Sequence, residues 1–524
     1  YMTTAFGPNF DATALAKLAP ELSDVFTAAG FTTDGVAGHL GPEVTEALFR
    51  GEPAPVALAA HSESQLNLLI RFFLLHEHLP ATLLGEAVGA RLATQLLDAK
   101  VALADAHGKA YIALDIRPHT IVGANRLIFS DVDASLVDHV PGPDHVLGVG
   151  AASLSLLQST PVSPVGSVLD LGTGSGVQLL GQLDCAEKIT ATDVHERALE
   201  LAEATIAATG DSEKVELLQG SWFDPVAGRR FDRLVANPPF VVGLPEVGHV
   251  YRDSGLNLDG ASELVVSRAT DHLTPGGTAH LLAAWVHTSG ETWQQRVASW
   301  LPDKGIAAWI IQRDVADPAL YVSTWLEDES LDVRSPEGQE RSRAWLEHFQ
   351  QHEVNGIGFG FVAIQRIGDD EPADILAEEM PQAFSDPLGP EVEEYFARVA
   401  WLRDLVPGEL QGKHFQVRPG LAREDISTPD AELGQGFTRA ALRLTRTDGP
   451  RWSHEVDEHI AAIVAGLNPQ GLNLEETIGL YAAAHGFDEA EVTAAALPAV
   501  IDMVRHGLLI PADLLLETDS LDLS

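Results

Sequence analysis

Four consecutive residues, Asn237-Pro238-Pro239-Phe240, follow directly on an apolar, strand-like run from Phe231 to Ala236. The side-chain carbonyl of Asn237 and the backbone carbonyl of Pro238 can together accept both N–H bonds of a planar NH₂ group. The nitrogen lone pair, otherwise delocalised, is then turned toward an electrophile, and the charge that develops is stabilised. The prolines hold both acceptors rigidly because their φ is fixed, and the ring of Phe240 can stack on the planar group. The pattern predicts a site that alkylates an amide or nucleobase-type nitrogen.

A glycine-rich turn follows another apolar strand, from Ser167 to Leu171. The residues predicted to bind a ligand there are Asp170, Gly172, Thr173, Gly174 and Gly176. Glycines let the backbone approach a ligand and adopt conformations denied to other residues. The third glycine comes one position earlier than in the dinucleotide fingerprint. A carboxylate at the strand end repels a pyrophosphate but attracts the amino and sulfonium groups of S-adenosylmethionine. The spacing therefore favours S-adenosylmethionine as the cofactor.

Two further carboxylates follow the next strands. Asp193 ends the run Ile189 to Asp193, at the position where doubly wound folds bind ribose hydroxyls. Asp224 follows the strand-like run Val215 to Leu218 and can accept a hydrogen bond from an adenine amino group, although an ordinary Asp-Pro turn explains it as well. We expect Asp193 to bind the ribose and Asp224 the adenine.

The elements that must position these residues alternate between strand and helix from Val165 onward, which is typical of a doubly wound, mostly parallel α/β sheet. Residues 1–97 are rich in Ala and Leu at helical spacing and predict a helical domain. Residues 98–145 contain β-prone runs, Tyr111 to Leu114 and Arg126 to Phe129, which predict a hairpin linker. The predicted catalytic domain covers 146–367. Residues 368–524 predict an α+β extension in which helices are followed by a short strand pair, as in a winged-helix-like unit.

The stretch from Asp170 to Gly277 resembles class I S-adenosylmethionine-dependent methyltransferases of the Asn-Pro-Pro-Phe/Tyr type, which include DNA and ribosomal-RNA enzymes. It is most similar to the release-factor glutamine methyltransferases. The resemblance implies a Rossmann-like fold, the cofactor and the role of the tetrad. Phe240 stands where the glutamine enzymes usually carry tyrosine, and phenylalanine is common in the ribosomal-RNA guanine methylators. The segment Pro141 to Asp144 only loosely matches the family's proline-rich motif, and the C-terminal extension has no counterpart.

Composition narrows the function classes. With Lys+Arg 33 against Asp+Glu 76, the net charge of the 524 residues is -43, which repels a phosphate backbone at long range. The single cysteine, Cys185, forms no intrachain disulfide or thiolate zinc cluster. The start of the chain lacks a signal-peptide pattern and no window has membrane-spanning length. We therefore expect a cytoplasmic protein without a membrane partner.

Two polar clusters have ordinary explanations. His454 and His459 are five residues apart, off a single helical face, whereas the zinc-protease motif needs four, so we expect no metal site. Arginines gather at 439, 443, 446 and 451 against an acidic background. We interpret this arginine cluster as a salt-bridged surface, with RNA contact as the alternative.

The tetrad does not decide the methyl acceptor, because a glutamine amide and an exocyclic nucleobase amine present the same planar NH₂. The net charge and the segment from Tyr251 to Gly260 favour a protein glutamine, and ribosomal or other protein partners follow from it. Phe240 and the arginine cluster favour ribosomal RNA or DNA. A second alternative is a non-catalytic binding protein that retains the fold.

Overall fold

The computed structural model describes residues 9–133, 135–137, 141–249 and 251–515. The parts of the predicted domains at 1–8, 134, 138–140, 250 and 516–524 lie outside the described residues. The chain forms two compact units: Tyr1–Leu157 with Val162–Glu379, and Gln158–Pro161 with Met380–Ser524. The predicted division into four domains stays a prediction.

The first unit begins with a helical region. Its elements are α1 (Ala12–Ala28), α2 (Thr33–Leu40), α3 (Pro42–Phe49), α4 (Pro53–Ala59), α5 (Gln65–Phe73), β1 (Leu79–Pro80), α6 (Ala81–Val88), α7 (Ala90–Asp98), β2 (Ala102–Ala104) and β3 (Lys109–Ile112). In α1, Leu15, Leu22 and Phe26 recur at helical spacing and are buried, and the Asp11 side chain accepts a hydrogen bond from the first turn. The helices pack around one apolar core.

A hairpin of β4 (Asp115–Ile121) and β5 (Ala124–Ser130) follows. The predicted partner of Arg126 to Phe129 was wrong: Tyr111 and Ile112 lie in β3, which pairs with β1 and β2. The sequence does not predict β4, because Pro118 interrupts the run of β-prone residues from Asp115 to Ile121. Proline is tolerated here because each strand of a two-stranded sheet is an edge. Val122 and Gly123 both have positive φ, as a tight two-residue hairpin turn requires.

The rest of this unit is an α/β sheet with its helices. Its elements are α8 (Ala151–Ser159), β6 (Val165–Leu171), α9 (Val177–Gln182), β7 (Ala186–Asp193), α10 (Glu196–Ala207), β8 (Val215–Gln219), β9 (Phe231–Ala236), α11 (Gly260–Ala269), β10 (Leu273–Thr288), α12 (Trp293–Ala298), β11 (Ile306–Ala316), α13 (Pro318–Asp328), α14 (Pro336–Gln351), β12 (Val354–Arg366) and β13 (Asp374–Glu379).

Within the described residues, eight strands form one sheet in the order β13-β11-β12-β10-β9-β6-β7-β8. The pairs that involve β12 are antiparallel, and every other pair is parallel. The prediction of a doubly wound, mostly parallel sheet is confirmed. β13 carries the sheet past residue 367, where the sequence pattern places the end of the catalytic domain. Apolar cores cover both faces of the sheet.

The helices α13 and α14 interrupt the connection between β11 and β12. Their apolar residues Val322, Leu326 and Phe349 are buried in one cluster with Val242, just past the tetrad. We call α13, α14 and the turn between them the helical insertion. Asp317 and Ser335 cap the two helices through their side chains, and a proline follows each cap.

The second unit is built from α15 (Leu388–Asp404), β14 (Phe415–Val417), β15 (Ala422–Pro429), β16 (Phe437–Thr445), β17 (Ser453–Glu455), α16 (Glu458–Gly466), α17 (Leu474–His485), α18 (Glu489–Arg505) and β18 (Leu509–Pro511). It is α+β, as predicted. The described strand after the helices, β18, pairs with β14, which precedes them, so the predicted strand pair after the helices is wrong. A strand's partner need not be its neighbour in sequence, and the pattern could not show this. No described helix has the length and apolarity needed to cross a membrane.

Candidate functional site

Three parallel strands bring the predicted site residues to one edge of the sheet. β6 lies between β7 and β9, with Leu171 in register with Thr192 on one side and with Ala236 on the other. The residues that follow these strand ends therefore meet at the carboxyl edge, where open α/β sheets bind their ligands.

The glycine loop exposes its backbone to this edge. Gly172, Gly174 and Gly176 have φ values of 72°, 55° and 92°, in the left-handed region that favours glycine. No atom lies within 4 Å of a Cβ built on Gly172 or Gly174, so the backbone there is uncovered. The N–H of Thr173 donates to the carbonyl of Thr192 at 2.8 Å and ties the loop to β7.

Asp193 holds the loop from its other side. Its carboxylate accepts hydrogen bonds from the Gly174 N–H at 2.9 Å and from the His195 N–H at 3.0 Å. Burial raises the pKa of Asp193 above its ordinary value. Each oxygen keeps a further lone pair, so the side chain can still accept a hydrogen bond from a ligand hydroxyl.

Asp170 lies beneath the loop and is fully buried. One carboxylate oxygen accepts hydrogen bonds from the Thr173 hydroxyl at 2.7 Å and the Leu179 N–H at 3.0 Å. Its other oxygen is buried and has no hydrogen-bond partner among the described residues. Burial raises the pKa of Asp170 to about 7. Asp170 does not line the cleft, and it acts on the cleft through Thr173, which does.

A cleft of about 350 Å³ joins the glycine loop to the tetrad. Its wall includes Gly172, Thr173, Gly174 and Asp193, together with Asn237, Pro238 and Pro239. Within the described part of the chain, the Asn237 side chain takes part in no hydrogen bond, and nothing donates to the Pro238 carbonyl. Both acceptors predicted from the sequence therefore lie beside the cleft without a partner of their own.

The structure does not bring Phe240 and Asp224 to the cleft wall. The ring of Phe240 packs against Phe359 with 5.3 Å between centroids. Asp224 is exposed, and its N–H donates to the carbonyl of Ser221 at 3.0 Å. Ser221 and Trp222 line the cleft instead, because the chain turns at Trp222, whose φ is 48°. The predicted roles of Phe240 and Asp224 stay predictions.

Several wall residues were missed by sequence reasoning. They are His145, His195, Ser221, Trp222, Tyr251 and Ser254. Two of these could have been found, since Ser221 and Trp222 directly follow the end of β8. The others come from loops with no regular pattern.

The helical insertion clamps the loop that follows the tetrad. The Val242 N–H donates to the Tyr321 hydroxyl at 2.9 Å, and the Trp345 indole N–H donates to the Val242 carbonyl at 3.1 Å. The Tyr251 hydroxyl donates to Asp328 at 2.7 Å. The insertion therefore holds the segment after the tetrad, including the cleft residue Tyr251.

Arg252 also connects this loop to the helical insertion. Its guanidinium donates to the Trp325 carbonyl at 2.8 Å and to the carboxylate of Glu329. Arg341 on α14 donates to the same carboxylate. The side chains of Arg252 and Glu329 are 3% and 6% exposed, so this ion pair is removed from solvent.

Two of the four arginines in the cluster of the second unit, Arg439 and Arg446, are paired with carboxylates. Arg446 is fully buried and donates to both oxygens of Glu391, at 2.8 and 2.9 Å. Arg439 pairs with Asp425 and Glu458. These pairs support the salt-bridged interpretation for Arg439 and Arg446.

The two histidines of the rejected metal motif lie on different elements. His454 is in β17 and His459 is in α16. Among the residues that the structure describes, no three His, Cys, Asp or Glu side chains converge as metal ligands.

Known families match three stretches of the chain. Residues 147–287 match the family described as methyltransferase small domain. Residues 28–113 and 393–511 each match a family described as a domain of unknown function. The matched methyltransferase stretch contains the glycine loop, Asp193 and the tetrad.

Individual relatives are similar over the same stretch. The release factor glutamine methyltransferase of Gloeobacter violaceus is 36% identical over 123 residues, which cover 21% of this chain and 43% of that protein. Ribosomal RNA small subunit methyltransferase C of Serratia proteamaculans is 32% identical over 149 residues, 28% of this chain and 39% of that protein. A solved T. thermophilus 16S rRNA methyltransferase, 20% identical, covers 39% of this chain and 56% of its own, with a TM-score of 0.27. The chain spans less than half the length of the two curated relatives.

These matches confirm the predicted class of the central domain. It is a class I methyltransferase domain, and its cofactor is S-adenosylmethionine. The predicted resemblance to release-factor glutamine and ribosomal-RNA methyltransferases is confirmed as well.

Proposed function

We propose that this chain, which carries a class I S-adenosylmethionine-dependent methyltransferase domain, methylates a planar NH₂ group, and that its acceptor is a glutamine side-chain amide of a protein. One observation carries the proposal. A single cleft is lined by the glycine loop and by Asn237 and Pro238, whose acceptor oxygens have no partner in the described part of the chain.

The cofactor side of the cleft fits S-adenosylmethionine in its donor and acceptor groups. The uncovered backbone at Gly172 and Gly174 admits a close-packed ligand. Asp193 accepts from the ribose hydroxyls, and Trp222 and Ser221 flank the adenine. Asp170 lies behind this pocket and acts on it indirectly, by accepting a hydrogen bond from the hydroxyl of the wall residue Thr173. When bound, the cofactor supplies an electrophilic methyl group.

The acceptor side makes the amide nitrogen nucleophilic. Asn237 and Pro238 accept its two N–H bonds, so that its lone pair points at the methyl group. The N–C bond forms as the S–C bond breaks, the sulfonium becomes a neutral thioether, and the nitrogen loses one proton to solvent. Positioning of this kind contributes several kcal/mol of the barrier, on the order of the effect of an intramolecular reaction. No side-chain base is needed.

The charge of the molecule favours a protein acceptor over RNA. The net charge is -43, and two of the four arginines of the C-terminal cluster, Arg439 and Arg446, are paired with carboxylates. Similarity to the ribosomal-RNA enzyme and the phenylalanine at position 240 favour the alternative, a nucleobase amine.

The test is incubation with labelled cofactor and either ribosomes, naked ribosomal RNA or purified release factors, followed by separate protease and nuclease digestion. We expect protease-sensitive label, abolished by Asn237→Ala and unaffected by Asn125→Ala, an exposed asparagine away from the cleft. Nuclease-sensitive label that resists protease contradicts the protein acceptor. No label on any component supports the non-catalytic alternative.

A further inference from the structure

A second cavity of about 160 Å³ adjoins the cleft. The two share Val247, Asp253 and Ser254 as wall residues. The second cavity lies on the acceptor side, because its remaining wall comes from the loop after the tetrad and from α14, and none of it from the glycine loop. A group that extends from a bound acceptor amide away from the cofactor reaches this cavity.

One face of the cavity is aromatic. Trp345 contributes its ring, which is held by the indole hydrogen bond to Val242. Gly243 lies directly against it, since a Cβ on Gly243 would come within 2.8 Å of the Trp345 indole nitrogen. A flat ring in a narrow cavity is suited to the alkyl stem of a long side chain.

The charged face of the cavity is acidic. Its two cations, Arg252 and Arg341, both donate to Glu329. Arg252 also faces Asp253 at 3.3 Å and Asp328 at 3.7 Å. The guanidinium groups are therefore already neutralised.

Two further titratable groups complete the surroundings. Burial lowers the pKa of His249, so this imidazole is neutral at pH 7. Glu246 is exposed on the cavity wall and has no ion pair with any described residue. A phosphate meets net negative charge here, whereas a cation finds a carboxylate without a partner.

We propose that this cavity is an acceptor subsite that binds a lysine or arginine side chain flanking the methylated residue in a peptide, with its stem on Trp345 and its charge at Glu246. This inference rests on the proposed function and narrows its substrate class. If the subsite binds as proposed, the enzyme distinguishes peptides by the charge of the residue next to the methylated amide.

The test uses short peptides with one central glutamine, flanked by lysine, alanine or glutamate. Wild-type protein, Glu246→Lys and Glu263→Lys are compared, the last being an exposed glutamate on α11 outside both cavities. KM for methyl transfer and peptide affinity by fluorescence anisotropy are both measured, with cofactor affinity as a check on the fold.

We expect the wild type to prefer the lysine peptide over the glutamate peptide by about fivefold in KM and in affinity. Glu246→Lys reverses this order, and Glu263→Lys preserves it. The same ratio in the wild type and Glu246→Lys overturns the subsite. If no peptide is methylated but the anisotropy preference follows Glu246, the proposed acceptor fails and the subsite stands. If neither assay responds to the flanking charge, the subsite is refuted whichever acceptor is methylated.

Discussion

Replacement of Glu329 by alanine tests whether the helical insertion positions the acceptor side of the cleft. Glu329 is the carboxylate on which Arg252 and Arg341 converge. Removing it leaves the guanidinium of Arg252, which is 3% exposed, with weaker partners only. The loop that carries Tyr251 to the cleft loses its main anchor.

The expected loss of stability depends on the partners that Arg252 keeps. Removing one partner of a buried ion pair lowers the free energy of unfolding by about 3–5 kcal/mol. Arg252 keeps the Trp325 carbonyl at 2.8 Å, Asp253 at 3.3 Å and Asp328 at 3.7 Å, so we expect a loss of stability at or just below the low end of that range, about 2–3 kcal/mol. A displaced acceptor loop lowers kcat by roughly ten- to a hundredfold, because reacting atoms held out of line react slowly.

The measurements are kcat with the acceptor found by labelling, cofactor affinity by calorimetry, and amide hydrogen exchange over residues 251–258. We expect lower kcat and faster exchange with unchanged cofactor affinity, since the glycine loop makes no contact with Glu329. The control is Glu327→Ala, an exposed residue in the last turn of α13, two positions before Glu329. Wild-type kcat and exchange in Glu329→Ala refute the positioning role.

Three further predictions concern other carboxylates. Asp193→Ala removes the acceptor that holds Gly174, and calorimetry should give at least about tenfold weaker cofactor binding; equal binding contradicts the ribose assignment. The pKa of Asp170 is about 7 in the folded protein, against an ordinary value of 3.8. The stability of the cofactor-free protein therefore falls as the pH rises between these two values. An asparagine at this position cannot ionise, so the melting temperature of Asp170→Asn should exceed that of the wild type by more at pH 8 than at pH 5. Glu391→Ala removes the carboxylate shared by the buried Arg446 and Arg398 and leaves Arg446 with Asp448 as its carboxylate partner, so urea unfolding should show a loss of about 3–5 kcal/mol in the stability of the second unit; an unchanged midpoint argues against it.

The sequence predicts those strands and helices whose apolar residues recur at a regular spacing. β6, β7 and β9 are apolar runs that end in chemically distinctive residues, and parallel strands must bring those ends to one edge. Asp193 and Asn237 therefore lie beside the same cleft although 44 positions separate their numbers in the chain.

Long-range packing decided what the sequence could not show. Tyr321 and Trp345 hold Val242 from a distance of about eighty and a hundred residues along the chain. The amphipathic pattern of α13 and α14 shows that one face of each helix is buried, but it does not show that Tyr321 and Trp345 contact Val242. Trp222 reaches the cleft only because its backbone takes a left-handed turn, a conformation that propensity disfavours for a bulky residue.

In this fold, different parts of the chain form the glycine loop and support the loop after the tetrad. The glycine loop, Asp193, Ser221 and Trp222 come from the chain around β6, β7 and β8, whereas the loop after the tetrad is held by one contiguous segment between β11 and β12. That segment can be exchanged as a cassette. We expect a chimaera with a different insertion to keep the glycine loop and Asp193 while presenting a different surface beside the tetrad, so that a change of acceptor would not require a change in the core of the sheet.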